Sequence, residues 1–430
     1  MNSVGERLRE ARLSRGLTQA QLARGLATKG FISQVERNHT APSLAKLRLM
    51  AERLGLPLGH FTGDSSPLEL SYLRKSAELA VKAQEPERAI ALVEESLTLP
   101  TTANERADLL RIKGMALEAL GRLPEAVGAQ QQAAATAPVD DPELSAAIYA
   151  ELGYVQQSQE QFNAAMEANL RSLSWLDRSR HADPALRARV LNNLGRSSYA
   201  LGQMDAADGY LMQALDAALD AESLLRIANA HMALGISARA VGDLDRALEH
   251  CQRALELHSR IGQHRAANMV LNNLGDVHYS AGRKRQAAEF QRRCLNRARE
   301  MRDDFEVGVA AGELARYALE DGRAGEALAL ARESQQAAAR SGDHLHQAVS
   351  AAFEATAAER LGHPTIANRK FREALRLLAD RSAAGKLADV CAMYADLLRA
   401  RGDHDRAFAF MRMAAERDFS KLATLGRLGK

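Results

Sequence analysis

Apolar residues near the start of the chain recur at the three- and four-residue spacing of amphipathic helices. Val4, Leu8, Ala11 and Leu13 predict a first helix that stops near Gly16. Each later helical run follows a hydroxyl residue of the kind that caps helix N-termini. These predicted caps are Thr18, Thr28 and Ser43. The opening segment is therefore predicted to be a small bundle of short helices.

From about Leu68 onward the helical pattern repeats with a nearly constant period. A small residue recurs at intervals of 37, 39, 42 and then 40 five times, at Ala89, Ala126, Ala165, Ala207, Ala247, Ala287, Ala327, Ala367 and Ala407. Further small residues stand twelve positions before and seven positions after each of them. Antiparallel helices approach closely only where bulk is removed at their crossing. The pattern therefore predicts nine stacked helix pairs.

Glycine marks the predicted end of the first helix in seven of the pairs, at Gly121, Gly202, Gly242, Gly282, Gly322, Gly362 and Gly402. The resulting boundaries are 1–63 for the small domain, 64–67 for a linker, 68–420 for the array and 421–430 for a basic tail. We expect the linker to act as a hinge, because Gly and Ser flex while Pro67 restarts a helix.

Charge is divided unevenly between the two parts. The whole chain has a formal charge of +3, yet residues 1–63 hold ten Lys and Arg against four Glu. The remainder is slightly acidic. A basic small domain joined to an acidic body is typical of a protein that meets phosphates with one part only. Aromatic residues make up only 4% of the chain, which favours close-packed helices over β-sheet.

No motif typical of catalysis or metal binding is present: the sequence has no H-E-x-x-H, no Walker loop and no G-x-S-x-G. Cys251, Cys294 and Cys391 are far apart within apolar helical patterns, so we expect them to be small core residues. We therefore expect no enzyme, no metal and no cofactor. The charged N-terminus and the lack of a long apolar run predict a cytoplasmic protein without membrane contact.

Four motifs in the first segment, L-T-Q, Q-L-A, I-S-Q-V-E-R and P-S-L, carry a family resemblance. Their order and spacing resemble the Cro/C1 (XRE) family of helix-turn-helix domains. The resemblance implies that the segment binds double-stranded DNA, with the helix over 29–37 in the major groove. The alternative is a small helical domain whose polar face meets only water.

The resemblance also implies roles for individual residues. Gln19 is expected to bond a phosphate. The residues expected to face base edges are Lys29, Gly30, Ser33 and Gln34. A Gln can bond adenine N6 and N7 together, and a Lys suits guanine O6 and N7. Further phosphate contacts, which set register, are expected from Arg12, Arg15, Arg37 and the amides after Ser43.

The stretches NNLGRSSYALGQMDAADGYLMQAL and NNLGDVHYSAGRKRQAAEFQRRCL are similar to tetratricopeptide repeats of forty residues. The resemblance implies an all-α fold in which the helix-turn-helix bundle precedes a right-handed α-solenoid, whose first helices line the concave face. Ligand contacts are then expected at Tyr154, Arg189, Asn192, Asn193, Arg196, Asn229, Asn272, Asn273, Asp276 and Arg316. Asn side chains supply the donor and the acceptor that a peptide backbone needs. The alternative is that these side chains are solvated or bond a neighbouring helix.

The two parts in this order resemble the peptide-responsive quorum-sensing regulators that include PlcR, PrgX and Rgg. The resemblance implies a homodimeric transcriptional regulator on an inverted-repeat operator. A signalling peptide or another effector in the groove would modulate its DNA binding. One rival keeps DNA binding but gives the array only dimerisation or protein docking. A second rival is a scaffold that binds no DNA.

Overall fold

The computed structural model is helical throughout and describes residues 3–56, 58–62, 67–137, 139–379, 384–420 and 422. No strand occurs in these ranges, which confirms the predicted all-α class. The chain forms two compact units, Met1–Ala217 and Ala218–Lys430. Most of the predicted linker, residues 64–66, and all of the predicted tail except Leu422 lie outside the described residues.

The N-terminal domain contains five helices: α1 (Val4–Ser14), α2 (Gln19–Ala23), α3 (Lys29–Glu36), α4 (Leu44–Leu54) and α5 (Gly59–Thr62). The three predicted caps are confirmed, because the hydroxyls of Thr18, Thr28 and Ser43 each accept a backbone N–H three residues further on. A core built from Leu8, Leu22, Ile32, Met50 and Phe61 holds the helices together.

Nine helix pairs follow in the described residues, as the repeat period predicts. The pairs that begin in the first unit are α6 (Pro67–Lys82) with α7 (Pro86–Leu97), α8 (Ala103–Ala119) with α9 (Leu123–Ala135), α10 (Pro142–Ser158) with α11 (Phe162–Arg178), and α12 (Pro184–Ala200) with α13 (Met204–Asp220).

The pairs of the second unit are α14 (Leu224–Ala240) with α15 (Leu244–Arg260), α16 (His264–Ser280) with α17 (Lys284–Met301), α18 (Asp304–Glu320) with α19 (Ala324–Ser341), α20 (His344–Arg360) with α21 (Pro364–Ala379), and α22 (Ala384–Ala400) with α23 (His404–Glu416). Each pair packs on the next through Ala- and Leu-rich faces. The three cysteines are free and buried, as predicted.

The small residues allow the two helices of a pair to cross closely. A Cβ atom on Gly235 would lie 2.5 Å from the Sγ of Cys251, and one on Gly275 would lie 2.8 Å from the Nε2 of Gln291. Both distances are shorter than ordinary van der Waals contact. Hence the repeated small positions are a packing requirement.

The turn inside each pair needs one residue in the left-handed region. Glycine takes this conformation in seven pairs, for example at Gly202 with φ 76°. The first and third pairs lack that glycine, and there Gln84 (φ 63°) and Glu160 (φ 59°) adopt it instead. A side chain in this conformation costs about 1 kcal/mol, which the packing of these two pairs must offset. None of the helices in the described part is both long and apolar enough to cross a membrane.

Candidate functional site

The outer face of α3 presents a row of polar side chains. Ile32 and Val35 face the core. The predicted base-reading residues lie on the opposite side, where Lys29, Gly30 and Gln34 are exposed and Ser33 is half-buried, and Arg37 is exposed at the end of the helix. The structure therefore brings this predicted set together on one accessible surface.

Arg12 does not belong to that surface. It is only 7% exposed, its Nε and Nη2 donate to the two carboxylate oxygens of Glu36 at 2.5 and 3.0 Å, and its Nη1 donates to the carbonyl of Leu17 at 2.7 Å. The predicted phosphate contact of Arg12 is therefore wrong. Its guanidinium instead joins α1 to α3.

Glu36 links Arg12 to a second predicted residue. The Nε2 of Gln19 donates to Glu36 Oε2 at 2.8 Å. Burial alone would raise the pKa of Glu36, but the hydrogen bonds from Arg12 and Gln19 outweigh burial and hold that pKa below its ordinary value. The carboxylate therefore stays charged and fixes α3 against the first turn of α2.

The other predicted phosphate contacts lie at the surface. Arg15 is exposed, with its Nη2 3.4 Å from the carbonyl of Gly55, and Ser43 is exposed at the start of α4. Sequence reasoning missed Lys46, whose Nζ lies 4.6 Å from the centre of the Phe31 ring on α3. Lys46 could have been found from the sequence, because it is a basic residue three positions after the Ser43 cap, whose following amides were predicted to contact phosphate.

The domain also contacts the first helix pair of the array. The Nη2 of Arg48 on α4 donates to Glu95 Oε2 on α7 at 2.5 Å, and its Nε donates to Glu52 Oε1 at 3.2 Å. A cavity of about 440 Å³ lies beside this ion pair, between α4, α6 and α7. Within the first unit the N-terminal domain is therefore held by a direct contact as well as by the chain connection.

Five predicted ligand residues lie in the first unit, on α10 and α12. Arg189 Nη1 donates to Glu151 Oε1 at 2.7 Å. Tyr154 is half-buried, and burial together with the nearby Glu118 raises the pKa of its hydroxyl. Asn192 is half-buried and Arg196 is exposed. These side chains form a polar stripe along the first helices of the unit.

Asn193 departs from this stripe. It is only 3% exposed, and the Nε2 of Gln157 on the preceding first helix donates to its backbone carbonyl at 3.2 Å. A ligand in the groove cannot reach a side chain enclosed between helices, so the structure contradicts the predicted ligand contact of Asn193.

A cavity of about 480 Å³ opens in the second unit among α14, α16, α18, α20 and α22. All five are first helices of their pairs, as the resemblance implies. Asp276 and Arg316 line it, whereas Asn229, Asn272 and Asn273 are not among the described residues of its lining. Asn272 is engaged within its own pair, where its Oδ1 accepts from Gln291 Nε2 at 2.8 Å.

One side of the cavity carries a closed network around Arg316. Its Nε and Nη2 donate to Glu313 Oε2 at 3.1 and 2.5 Å, and its Nη1 donates to Glu320 at 3.1 Å. The guanidinium lies 4.2 Å from the centre of the Tyr279 ring. Burial alone would lower the pKa of Arg316, but the Glu313 carboxylate raises it. Arg316 therefore stays charged, and each of its three nitrogens donates to an acidic neighbour.

A looser pair lies beside this network. The Nη2 of Arg239 is 3.8 Å from Asp276 Oδ2. Burial raises the pKa of Asp276 to about 6, although Arg239 acts in the opposite direction. The carboxyl group of Asp276 is thus mostly charged at pH 7, and its neutral fraction grows as the pH falls towards 6.

The other side of the cavity is mainly apolar. Val349 and Phe353 come from α20, and Val390 and Met393 come from α22. Lys386 and Asp389 add a second loose ion pair at 3.8 Å. The cavity is therefore divided into a polar half and an apolar half.

Sequence reasoning missed most of this lining because it did not include the position four residues after the small residue, and because it named only Arg316 in the last three repeats. Arg239 and Tyr279 stand four positions after the repeated small residue, and Glu313, Phe353 and Met393 stand two positions before it. Extending the same three- and four-residue spacing along each first helix, and into the last two repeats, would have found them. In the described ranges no three His, Cys, Asp or Glu residues cluster closely enough to hold a metal ion.

Family models match separate parts of the chain. The helix-turn-helix model matches residues 8–61, and tetratricopeptide-repeat models match residues 74–141, 188–220 and 226–300. None of the curated proteins compared with the sequence is significantly similar to it.

Solved structures share the fold at low identity. A Rap protein complexed with Competence and Sporulation Factor is 17% identical, with a TM-score of 0.62 over 83% of this chain and 99% of Rap. The quorum sensor NprR from B. thuringiensis, in its apo form, is 12% identical, with a TM-score of 0.60 over 81% of this chain and 97% of NprR.

The Rap conjugation gene regulator of plasmid pLS20, in complex with the Phr* peptide, is 16% identical, with a TM-score of 0.53 over 85% of this chain and 99% of that regulator. At these identities the likeness establishes the fold alone. Together with the family models, it shows that this chain joins an N-terminal helix-turn-helix domain of the XRE type to an array of tetratricopeptide repeats.

Proposed function

We propose that the chain is a sequence-specific DNA-binding transcriptional regulator whose repeat array binds an effector and thereby changes DNA binding. The observation that carries the proposal is the exposed polar face of α3, held in place by the buried Arg12–Glu36 pair, within a domain that matches a helix-turn-helix model. A helix presented in this way fits the major groove.

On the DNA side, Gln34 and Lys29 are proposed to read base edges, with Ser33 and Gly30 beside them. Gln19, Arg15, Arg37 and the amides after Ser43 are proposed to contact phosphates. One helix-turn-helix domain buries little DNA surface, so we expect a homodimer on an inverted repeat. The basic charge of residues 1–63 supports this assignment.

On the effector side, the cavity of the second unit is the proposed site. Its volume of about 480 Å³ lies within the usual range for small-ligand sites, which are largely apolar with a few placed polar groups. NprR is a quorum sensor and the pLS20 Rap was solved with a peptide, which supports a peptide as the effector. The proposed role is regulatory and not catalytic.

The DNA part is tested by selecting bound duplexes from random DNA with the purified full-length chain. We expect enrichment of an inverted repeat. Gln34→Ala should weaken binding about tenfold at the base pair that Gln34 reads, because a bidentate base contact is worth about 1–3 kcal/mol. Gln252→Ala, which changes an exposed glutamine on α15, is the matched control and should leave the selected sequence unchanged.

Enrichment no greater than that of random DNA would overturn the DNA-binding proposal and favour the scaffold. A selected repeat that is unaffected by Gln34→Ala would keep DNA binding but reject this docking of α3.

A further inference from the structure

Arg239 and Asp276 have unused hydrogen-bonding capacity inside the cavity. Their closest approach of 3.8 Å is longer than a hydrogen bond. Among the described residues, no hydrogen bond joins either side chain to the protein. By contrast, Arg316 makes three hydrogen bonds to acidic neighbours. The cavity therefore offers a guanidinium fork and a carboxyl group that a ligand can engage, and this pair is less exposed than the equally loose Lys386–Asp389 pair.

A single small ligand that binds Arg239 and Asp276 can also contact the apolar half of the same cavity. Phe353 and Met393 share the 480 Å³ space with Arg239 and Asp276. An apolar side chain placed there leaves water and gains about 25 cal/mol per Å² of buried surface. Recognition can thus combine a charged contact, a hydrogen bond and an apolar contact.

We infer, on the basis of the proposed function, that this cavity recognises a residue with a free α-carboxylate and an apolar side chain. The carboxylate binds the guanidinium of Arg239 as a two-pronged pair. The N–H on the α-carbon of the same residue donates to the carboxyl oxygen of Asp276. Its side chain packs against Phe353 and Met393.

The charge balance of the lining favours this ligand over a phosphorylated one. Three cationic side chains line the cavity, and so do three acidic ones: Asp276, Glu313 and Asp389. A phosphate carries more negative charge than a single carboxylate and would meet three acidic groups at close range, which costs free energy in a partly buried site. One carboxylate next to one N–H donor matches the pair that is available.

The same chemistry has two sources, the C-terminus of a peptide and a free amino acid. The test is calorimetric titration of the full-length chain with three probes: acetyl-Gly-Gly-Leu with a free carboxylate, the same peptide with a C-terminal amide, and free leucine. We expect the acid to bind at least about tenfold more tightly than the amide, because hydrogen bonds to charged groups are the stronger kind.

Arg239→Gln should abolish the preference for the acid. Arg253→Gln, which changes an exposed arginine of α15 paired with Glu256, is the matched control and should keep it. Leucine that binds as tightly as the acid peptide points to a free amino acid, and binding of the peptide alone points to a peptide C-terminus. Equal binding of acid and amide, or binding of none of the probes, overturns the inference.

Two variants distinguish failure of the carboxylate inference from failure of the proposed regulatory function. Met393→Trp fills the cavity. If it abolishes an effect of culture extract on DNA binding while acid and amide bind equally, the cavity is an effector site and only the carboxylate inference is wrong. If Arg239→Gln removes the preference for the acid and DNA binding never responds to ligand, the inference stands and the regulatory role is wrong.

Discussion

The buried ion pair between Arg12 and Glu36 predicts a specific stability defect in the N-terminal domain. The side chains are only 9% and 3% exposed. Replacing Glu36 by Ala leaves a guanidinium without its partner in the interior, which costs about 3–5 kcal/mol. The variant should also release α3 from Gln19, because Glu36 accepts from both residues.

A double replacement separates the charge from the space that it occupies. Arg12→Met with Glu36→Leu removes both charges and keeps similar volume, so we expect it to recover most of the lost stability. Since Arg12 faces the interior, the double variant should also keep most of its affinity for DNA. A large loss of DNA affinity in a well-folded double variant would show either that Arg12 contacts a phosphate or that Glu36 positions Gln19 for its phosphate contact.

The assay is hydrogen exchange of peptides from α1 and α3 in the full-length chain, which reports local opening without unfolding the array. Glu36→Ala should raise exchange in both helices. Glu256→Ala, in an exposed ion pair, is the control and should change local stability by less than about 1 kcal/mol. Unchanged protection of α1 and α3 in Glu36→Ala would refute the reasoning.

Three further predictions concern packing and pH. Gly5→Ala should destabilise the N-terminal domain by about 1–3 kcal/mol, because the new Cβ would lie 2.1 Å from the carbonyl oxygen of Val35. Gly209→Ala is the control, since a Cβ there meets no atom within 4 Å. In the same exchange measurement it should be neutral or stabilising. Asp276→Asn should raise the Tm of the second unit above about pH 7 and have less effect near pH 5, because burial raises the pKa of Asp276 to about 6 and its charged form opposes folding above that value. His231→Gln should reduce the loss of stability as the pH falls below 6.5. Burial and the neighbouring histidine lower the pKa of His231 to about 4, so between pH 6.5 and 4 this histidine is protonated mainly in the unfolded chain. An unchanged slope of Tm against pH in the variant would contradict this prediction.

The features that sequence predicted correctly are those set by local geometry. Helix caps at Thr18, Thr28 and Ser43 depend on a hydroxyl and the next three residues. The two helices of a pair cross where residues sixteen positions apart in the sequence meet, as Gly235 and Cys251 do. A small residue is needed at that crossing, and both partners lie within one repeat. Because each pair repeats these constraints, nine pairs could be counted from the sequence.

The direction of single side chains was less predictable. Arg12 lies on a helix that also carries the exposed Arg9, and only the position of Glu36 in three dimensions shows that Arg12 turns inward. Asn193 and Asn273 occupy equivalent places in their repeats, yet Asn193 is buried while Asn273 is half-buried. Differences between neighbouring pairs decide which equivalent residue reaches the groove.

The cavity itself was beyond sequence reasoning because it depends on how five first helices curve together. Arg239 and Met393 line one space although they are four repeats apart in the chain. The curvature is the sum of small rotations between pairs, and no local pattern records it. What the sequence does contain is the composition of each first helix at the positions that face this space.

The most direct test of the proposed regulation is the affinity of the selected duplex for the full-length chain, measured by fluorescence anisotropy with and without culture extract, in the wild type and in Met393→Trp. We expect the extract to change the Kd of the wild type by about five- to one-hundred-fold, the usual size of coupling between two sites. The Kd of Met393→Trp should be the same with and without extract. An equal change in both proteins would contradict the assignment of the effector to the cavity, and a Kd that extract does not alter in either protein would contradict effector control of DNA binding.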